Sequence, residues 1–210
     1  MQYLFDGVKT FNEVDFQEHK ELFESLGDKQ EPKTLFICCC DSRIVPNIMT
    51  KSPPGELFVV RNVANVVPIY HKTNEHLATT SAIEYAITAL NIENIIVCGH
   101  SNCGGCNAIY LPEDQLNAMP HVKKWLDLVI PVKKKLEAKY GISITEDPTH
   151  RSWMTEQLNI VEQLKHLLTY PYIKERFREG TLNILGWYYI IKTGEIYNYN
   201  RETQLFEKIE

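Results

Sequence analysis

Apolar positions along the chain fall into short continuous runs separated by segments of helical period. The stretches Thr34 to Cys40 (TLFICCC), Glu56 to Arg61 (ELFVVR) and Asn94 to Cys98 (NIIVC) have strand length and the near-continuous apolarity of strands buried on both faces. From Val14 to Leu26, positions Val14, His19, Leu22, Phe23 and Leu26 lie near helical spacing, and Gly27 supplies a stop. Glu75 to Leu90 is alanine-rich and brings Leu77, Ile83, Ala86, Ile87 and Leu90 to one side of a second predicted helix. Pro46 opens a short helix, and Pro53-Pro54-Gly55 breaks the chain. Two or three helices are predicted between Cys106 and Glu179, started or kinked at Pro120, Pro131, Pro148 and Pro171. Leu182 to Ile191, a Thr193-Gly194 turn and Glu195 to Tyr199 predict a hairpin, or an edge strand with a short return.

Apolar strands alternating with helices predict an α/β fold, with a mainly parallel central sheet flanked by helices and the C-terminal hairpin at its edge. No internal repeat or low-complexity linker divides the 210 residues, so residues 1–210 are expected to form a single domain. In such sheets the chemistry collects at the carboxyl ends of the strands. Cys39–Asp41 and His100–Cys103 both fall there.

Composition narrows the function classes. Hydrophobic residues make up 44% and charged residues 23%, a globular balance that argues against disorder. A net charge of −5 argues against broad attraction to nucleic acid or to an anionic membrane. Lys133, Lys134 and Lys135 read as a solvated helix face. The start, MQYLFDGVKTF, lacks the apolar core of a signal peptide, and Asn183 to Ile191 is too short to span a bilayer, so a cytoplasmic protein is expected. The six cysteines (Cys38, Cys39, Cys40, Cys98, Cys103 and Cys106) are bunched rather than spread as staples, which points to metal or thiolate chemistry.

Zinc favours thiolate and imidazole ligands, and a catalytic zinc keeps one of its positions exchangeable. Residues two apart on an extended segment point the same way, so Cys39 and Asp41 can share a target while Cys38 and Cys40 face elsewhere. His100 and Cys103 supply a second pair on a tight loop, where Gly99, Gly104 and Gly105 let the backbone approach the metal and turn into a helix whose N-terminus favours the Cys103 thiolate. Arg43, two residues beyond Asp41, can make a bidentate contact with it. An aspartate competed for by arginine and metal can act as a movable fourth ligand.

Five pieces, in order and at matching spacing, resemble the β class of carbonic anhydrases over nearly the whole chain. They are C-x-D-S-R at 39–43, P-G-E-L-F at 54–58, R-N-V-A-N at 61–65, S-A-I-E-Y-A at 81–86 and G-H-x-x-C-G-G at 99–105. The resemblance implies a lyase that reversibly hydrates carbon dioxide to bicarbonate and a proton, through attack by zinc-bound hydroxide. Matched position by position, it makes Cys39, His100 and Cys103 the permanent ligands of one zinc ion per subunit. Asp41 becomes the exchangeable ligand and gate, held away from zinc by Arg43. It also implies a substrate pocket lined by Gln30, Phe58, Tyr85 and Gly104, shared across a boundary between subunits. The assembly implied is a homodimer or a higher oligomer of dimers, with residues 1–30 as a helical arm on the partner. Some bacterial members carry tryptophan at the position of Phe36 and use it in an inhibitory bicarbonate pocket; with phenylalanine there, plant-like behaviour is expected even though Arg61 is present.

Plainer roles are expected elsewhere. Cys38 and Cys40 read as small core residues. Cys106 reads as packing on the first turn of its helix rather than as half of a Cys-x-x-Cys redox pair. His19, His71, His76, His121, His150 and His166 lack the company that marks His100 and are read mostly as surface residues. Trp153, Trp187 and the tyrosines near 188–199 read as core or subunit contacts, and Arg61 as a loop anchor. Two other functions use the same fold: a catalytically silent zinc or bicarbonate-sensing module, which would lack Asp41, Arg43 or a ligand, and a hydrolase of another small heterocumulene such as carbon disulfide.

Overall fold

The computed structural model describes residues 1–71, 76–141 and 147–210. Its centre is a six-stranded sheet in the order β2-β1-β3-β4-β5-β6. Strands β1 (Thr34–Cys39), β2 (Leu57–Asn62), β3 (Asn94–His100) and β4 (Asn183–Tyr189) run parallel. Strands β5 (Ile196–Asn200) and β6 (Leu205–Lys208) turn back antiparallel, so the expected hairpin is extended by one further strand. The α/β fold with a mainly parallel sheet is as expected.

The two inner strands β1 and β3 are buried nearly end to end, which is why they read as unbroken apolar runs. Leu35, Ile37, Ile95 and Val97 face a large core beneath the helices, whereas Phe36, Cys38, Ile96 and Cys98 face a smaller core on the opposite side. Cys38 and Cys98 stand side by side in register, and Phe36 meets Trp187 edge-on at 6.0 Å. Both belong to the core, as expected for Cys38 and Trp187. Cys40 does not: it is exposed, because the chain leaves the sheet after Cys39 pairs with Asn62.

The chain is helical from its second residue, earlier than the spacing predicts. Helix α1 (Gln2–Thr10) passes through a π-turn (Phe11–Asp15) into α2 (Phe16–Glu18) and, after a break at His19, α3 (Lys20–Leu26). Helices α4 (Pro46–Thr50) and α5 (Leu77–Thr88) follow; Glu75, the predicted start of the second, lies outside the described residues. Beyond β3 come α6 (Gly104–Ala108), α7 (Glu113–Asn117), α8 (Pro120–Leu126), α9 (Ile130–Tyr140), α10 (Pro148–Leu167) and α11 (Pro171–Arg178). Among the described residues six helices stand where two or three were expected; Pro120, Pro131, Pro148 and Pro171 each sit in the first turn of a separate one. Helix α10 lies directly on β3, and a Cβ on Gly99 would come within 2.7 Å of Ile160. That contact sets the long helix behind the carboxyl edge of the sheet.

Candidate metal centre

Two strand ends build the site. Cys39 is the last residue of β1, and the chain then turns through Asp41, Ser42 and Arg43 before Ile44 returns to the core. Arg61, on the neighbouring strand β2, fastens this turn. Its Nε donates to the Cys39 carbonyl at 3.2 Å, and its Nη2 donates to the carbonyls of Asp41 at 2.7 Å and Ile44 at 2.9 Å. The anchoring role expected of Arg61 is therefore specific: it orients the segment that carries a candidate ligand.

The other half comes from the end of β3. His100 closes the strand, Asn102 turns the chain in the left-handed region at φ 54°, and Cys103 caps α6. Of the three glycines, Gly99 and Gly105 serve packing: a Cβ on Gly105 would lie 2.8–2.9 Å from Val63 and Ala64, whereas one on Gly104 would meet nothing within 4 Å. Cys106 is buried on the first turn of α6, as expected.

The ligand atoms of Cys39, His100 and Cys103 all lie within 4.8 Å of one another, and all three residues are buried. The two sulfurs are 3.9 Å apart. His100 Nδ1 is 3.0 Å from the Ser101 carbonyl, which can only accept, so that nitrogen carries the proton. Nε2 is buried with no hydrogen-bond partner among the described residues; burial pushes the imidazole down, but Cys39, the Ser101 carbonyl and Asp41 outweigh it and raise it. An orphaned imidazole nitrogen beside two thiols is the donor set of a divalent metal of zinc's kind, and the residues fit one. In the absence of a cation the thiols keep their protons. The hydrogen bond with Cys103 and burial push Cys39 up to about 12, and the hydrogen bond with Cys106 and burial push Cys103 up as well.

Asp41 stands just outside this triangle, its Oδ2 3.8 Å from His100 Nε2. Arg43 holds it three times: Nη2 on Oδ2 at 2.6 Å, Nε on Oδ1 at 2.9 Å and the backbone amide on Oδ1 at 3.0 Å. The Arg43 guanidinium keeps the carboxyl well below the usual carboxylate range, so it is ionised at neutral pH.

The remaining pocket residues are not brought to this cluster. Phe58 pairs in register with Leu35, at the far end of β1 from Cys39; four residues of strand separate them by about 13 Å. Tyr85 joins Phe58, their rings 6.1 Å apart, and is 47% exposed. Gln30 is exposed and its side chain makes no hydrogen bond among the described residues. Within one chain the candidate ligand cluster and the aromatic pair lie apart.

The polar face of α10 escaped the sequence reading. Ser152, Glu156, Asn159, Gln163 and His166 recur at spacings of four and three residues and are all buried. Glu156 accepts from the Cys103 amide, Asn159 donates to the Ala64 carbonyl, Gln163 accepts from the Val67 amide, and His166 meets the Val67 carbonyl. His166 is thus a core residue rather than a surface one. The signal was present as a helical stripe of polar residues, but a stripe of that kind reads as a solvent face until the loops it satisfies are in place.

Fold and site together define an α/β protein with three candidate metal ligands gathered at two strand ends. A family model described as carbonic anhydrase matches residues 34–196. The chain is 46% identical over 208 residues to a carbonic anhydrase of Helicobacter pylori (strain J99), covering 98% of this chain and 93% of that protein. The solved structure of the β-carbonic anhydrase CcaA superposes with a TM-score of 0.93 at 37% identity, over 100% of this chain and 99% of that one. A tetrameric β-carbonic anhydrase of the filamentous ascomycete Sordaria macrospora gives 0.79 at 27% identity, over 94% and 95%. The chain belongs to the carbonic anhydrase family, β class, and is an enzyme of carbon dioxide hydration. Among the described residues no helix is long and apolar enough to cross a membrane.

Proposed function

We propose that this carbonic anhydrase converts carbon dioxide and water to bicarbonate and a proton at a zinc ion held by Cys39, His100 and Cys103, with Asp41 and Arg43 as its gate. The orphaned Nε2 of His100, buried between two thiols and a clamped carboxylate, carries the reading. Bound zinc supplies Lewis acidity that brings the pKa of a water down to about 7. The chain's own residues do the rest. Ionised Asp41 can only accept a hydrogen bond, so the reacting oxygen must turn its proton toward Oδ2, which leaves a lone pair for the substrate carbon. Arg43 fixes that carboxylate by its fork of donors, so Asp41 reaches the metal only when the fork opens.

The substrate pocket is completed by a second copy, with Gln30, Phe58, Tyr85 and Gly104 as its lining. Support comes from the distance between Phe58 and Cys39 along the sheet and from the exposure of Tyr85, whose ring meets the half-buried Phe58. Helix α1 supports it too, exposing Tyr3, Leu4, Phe5 and Val8 with no residue buried in its own chain. Such an arm fits a homodimer or a larger assembly built from dimers. All six cysteines are free thiols, which fits the reducing cytoplasm.

Stopped-flow hydration of carbon dioxide by zinc-quantified protein tests the reading. Asp41→Asn should retain zinc and lose about 100-fold or more in turnover, the scale of one lost oriented group. Unchanged turnover would remove the gate. Deleting residues 1–26 should shift the oligomer toward monomer in sedimentation, with loss of activity.

A further inference from the structure

We propose that Glu156 is a positioning residue for the metal centre: it holds the backbone amide of Cys103 and thereby fixes where the Cys103 sulfur points. The inference rests on the zinc reading above and concerns a residue outside the ligand set, the gate and the pocket.

Glu156 lies on α10, 53 positions beyond Cys103, and is only 2% exposed. Its Oε1 accepts from the Cys103 amide at 2.8 Å and from Ser152 Oγ at 2.9 Å. Its Oε2 accepts from the Tyr188 hydroxyl at 2.8 Å. Burial and the neighbouring carboxylate push the Tyr188 phenol up, so it remains a donor. Three neutral donors from α10, β4 and the β3–α6 turn thus converge on one carboxylate. Burying such a group costs free energy that an apolar side chain at this place would avoid. What it holds in return is the amide of a metal ligand.

That amide needs holding. Cys103 precedes the first turn of α6, so no carbonyl of its own helix is placed to accept its N–H. The residue before it, Asn102, turns the chain through the left-handed region, which asparagine tolerates better than other side chains. A zinc–sulfur bond of about 2.3 Å tolerates displacement of only about 0.2 Å. Ser152 and Tyr188 lock the glutamate, the glutamate locks the amide, and the amide sets the direction of Cys103 Cα–Cβ.

Zinc release from the loaded protein to a colorimetric chelator tests the chain of contacts. Glu156→Ala should release zinc about 10–100-fold faster than wild type, the usual cost of losing a group that supports a ligand. Glu156→Gln should stay nearest wild type, because the amide oxygen still accepts from Cys103 while its NH2 meets Tyr188, whose oxygen can also accept. In the cobalt-substituted proteins the thiolate charge-transfer band should shift in Glu156→Ala and recover in Glu156→Gln. Tyr188→Phe leaves the Cys103 contact but frees the glutamate, and should give a smaller acceleration, which keeps the test open if Glu156→Ala does not fold. A Glu156→Ala protein that loses thermal stability yet releases zinc at the wild-type rate overturns the inference. So does a Glu156→Gln protein that releases it as fast as Glu156→Ala, or a Tyr188→Phe protein with unaltered release. Wild-type protein that holds no zinc overturns the zinc reading itself, an outcome distinct from these.

Discussion

Replacing Arg61 by methionine separates the fastening of the Asp41–Arg43 turn from the candidate metal ligands. Methionine keeps much of the apolar stem and deletes the guanidinium. Three carbonyls then lose their donor, those of Cys39, Asp41 and Ile44. Hydrogen bonds to a charged group contribute about 1.5–3 kcal/mol each when sheltered, and about 0.5–1.5 kcal/mol each when water can replace the donor. Arg61 is exposed, so the lower figure applies and the loss sums to about 1.5–4.5 kcal/mol. For a chain of 210 residues this lowers Tm by about 3–18 °C. Cys39 stays in register on β1, so zinc should remain bound, while Asp41 and Arg43 lose their fixed approach and turnover falls about 10–100-fold. Lysine at the same position offers a single compact ammonium in place of a fork and should fall between the two. Stopped-flow hydration and calorimetry on zinc-quantified protein measure both quantities. Wild-type turnover with an unchanged Tm would refute the assignment of Arg61 to the loop.

Acid should weaken the fold through His166. Burial pushes this histidine below its ordinary range, Lys135 and Lys165 act in the same direction, and the Val67 carbonyl and Glu162 oppose them. The unfolded chain therefore takes up a proton at a pH where the folded chain does not. Stability is full above about pH 6.5 and is lost as pH falls toward the folded value. Asparagine can still donate to the Val67 carbonyl without titrating, so His166→Asn should lose less Tm than wild type between about pH 7 and pH 5; equal losses would exclude His166 as a source. Metal removal gives an independent check. With Cys39 at about 12 and Cys103 raised, both thiols of metal-free protein are protonated at neutral pH, and zinc should displace about two protons on binding. Calorimetric titration in buffers of different ionisation enthalpy counts them, and a count near zero would disqualify the two cysteines as ligands.

Strands β1 and β3 were legible because they are buried on both faces and leave apolar runs of strand length, whereas β6 was not foreseen. The pairing of Cys39 with His100 and Cys103 was legible from side-chain parity and from the position of both segments at strand ends. The start of the N-terminal helix at Gln2 was missed although Leu4, Phe5 and Val8 lie at helical spacing; these residues face no core in their own chain. The number of helices after β3 was under-read, because a proline within a helical pattern looks the same whether it kinks one helix or opens the next.

The sequence by itself pointed to the donor set, since Cys39, His100 and Cys103 fall at two predicted strand ends beside an Asp41–Arg43 pair. Only the tertiary structure decided how that set is held. Arg61 reaches the first half from a neighbouring strand, and Glu156 reaches the second across 53 residues. Periodicity reports which face of an element is apolar; it carries no information on which backbone amide or carbonyl, distant in the chain, a buried polar side chain will satisfy. The register of β1 with β2 likewise separated Phe58 from Cys39, a separation that depends on how strands align and not on the residues they contain.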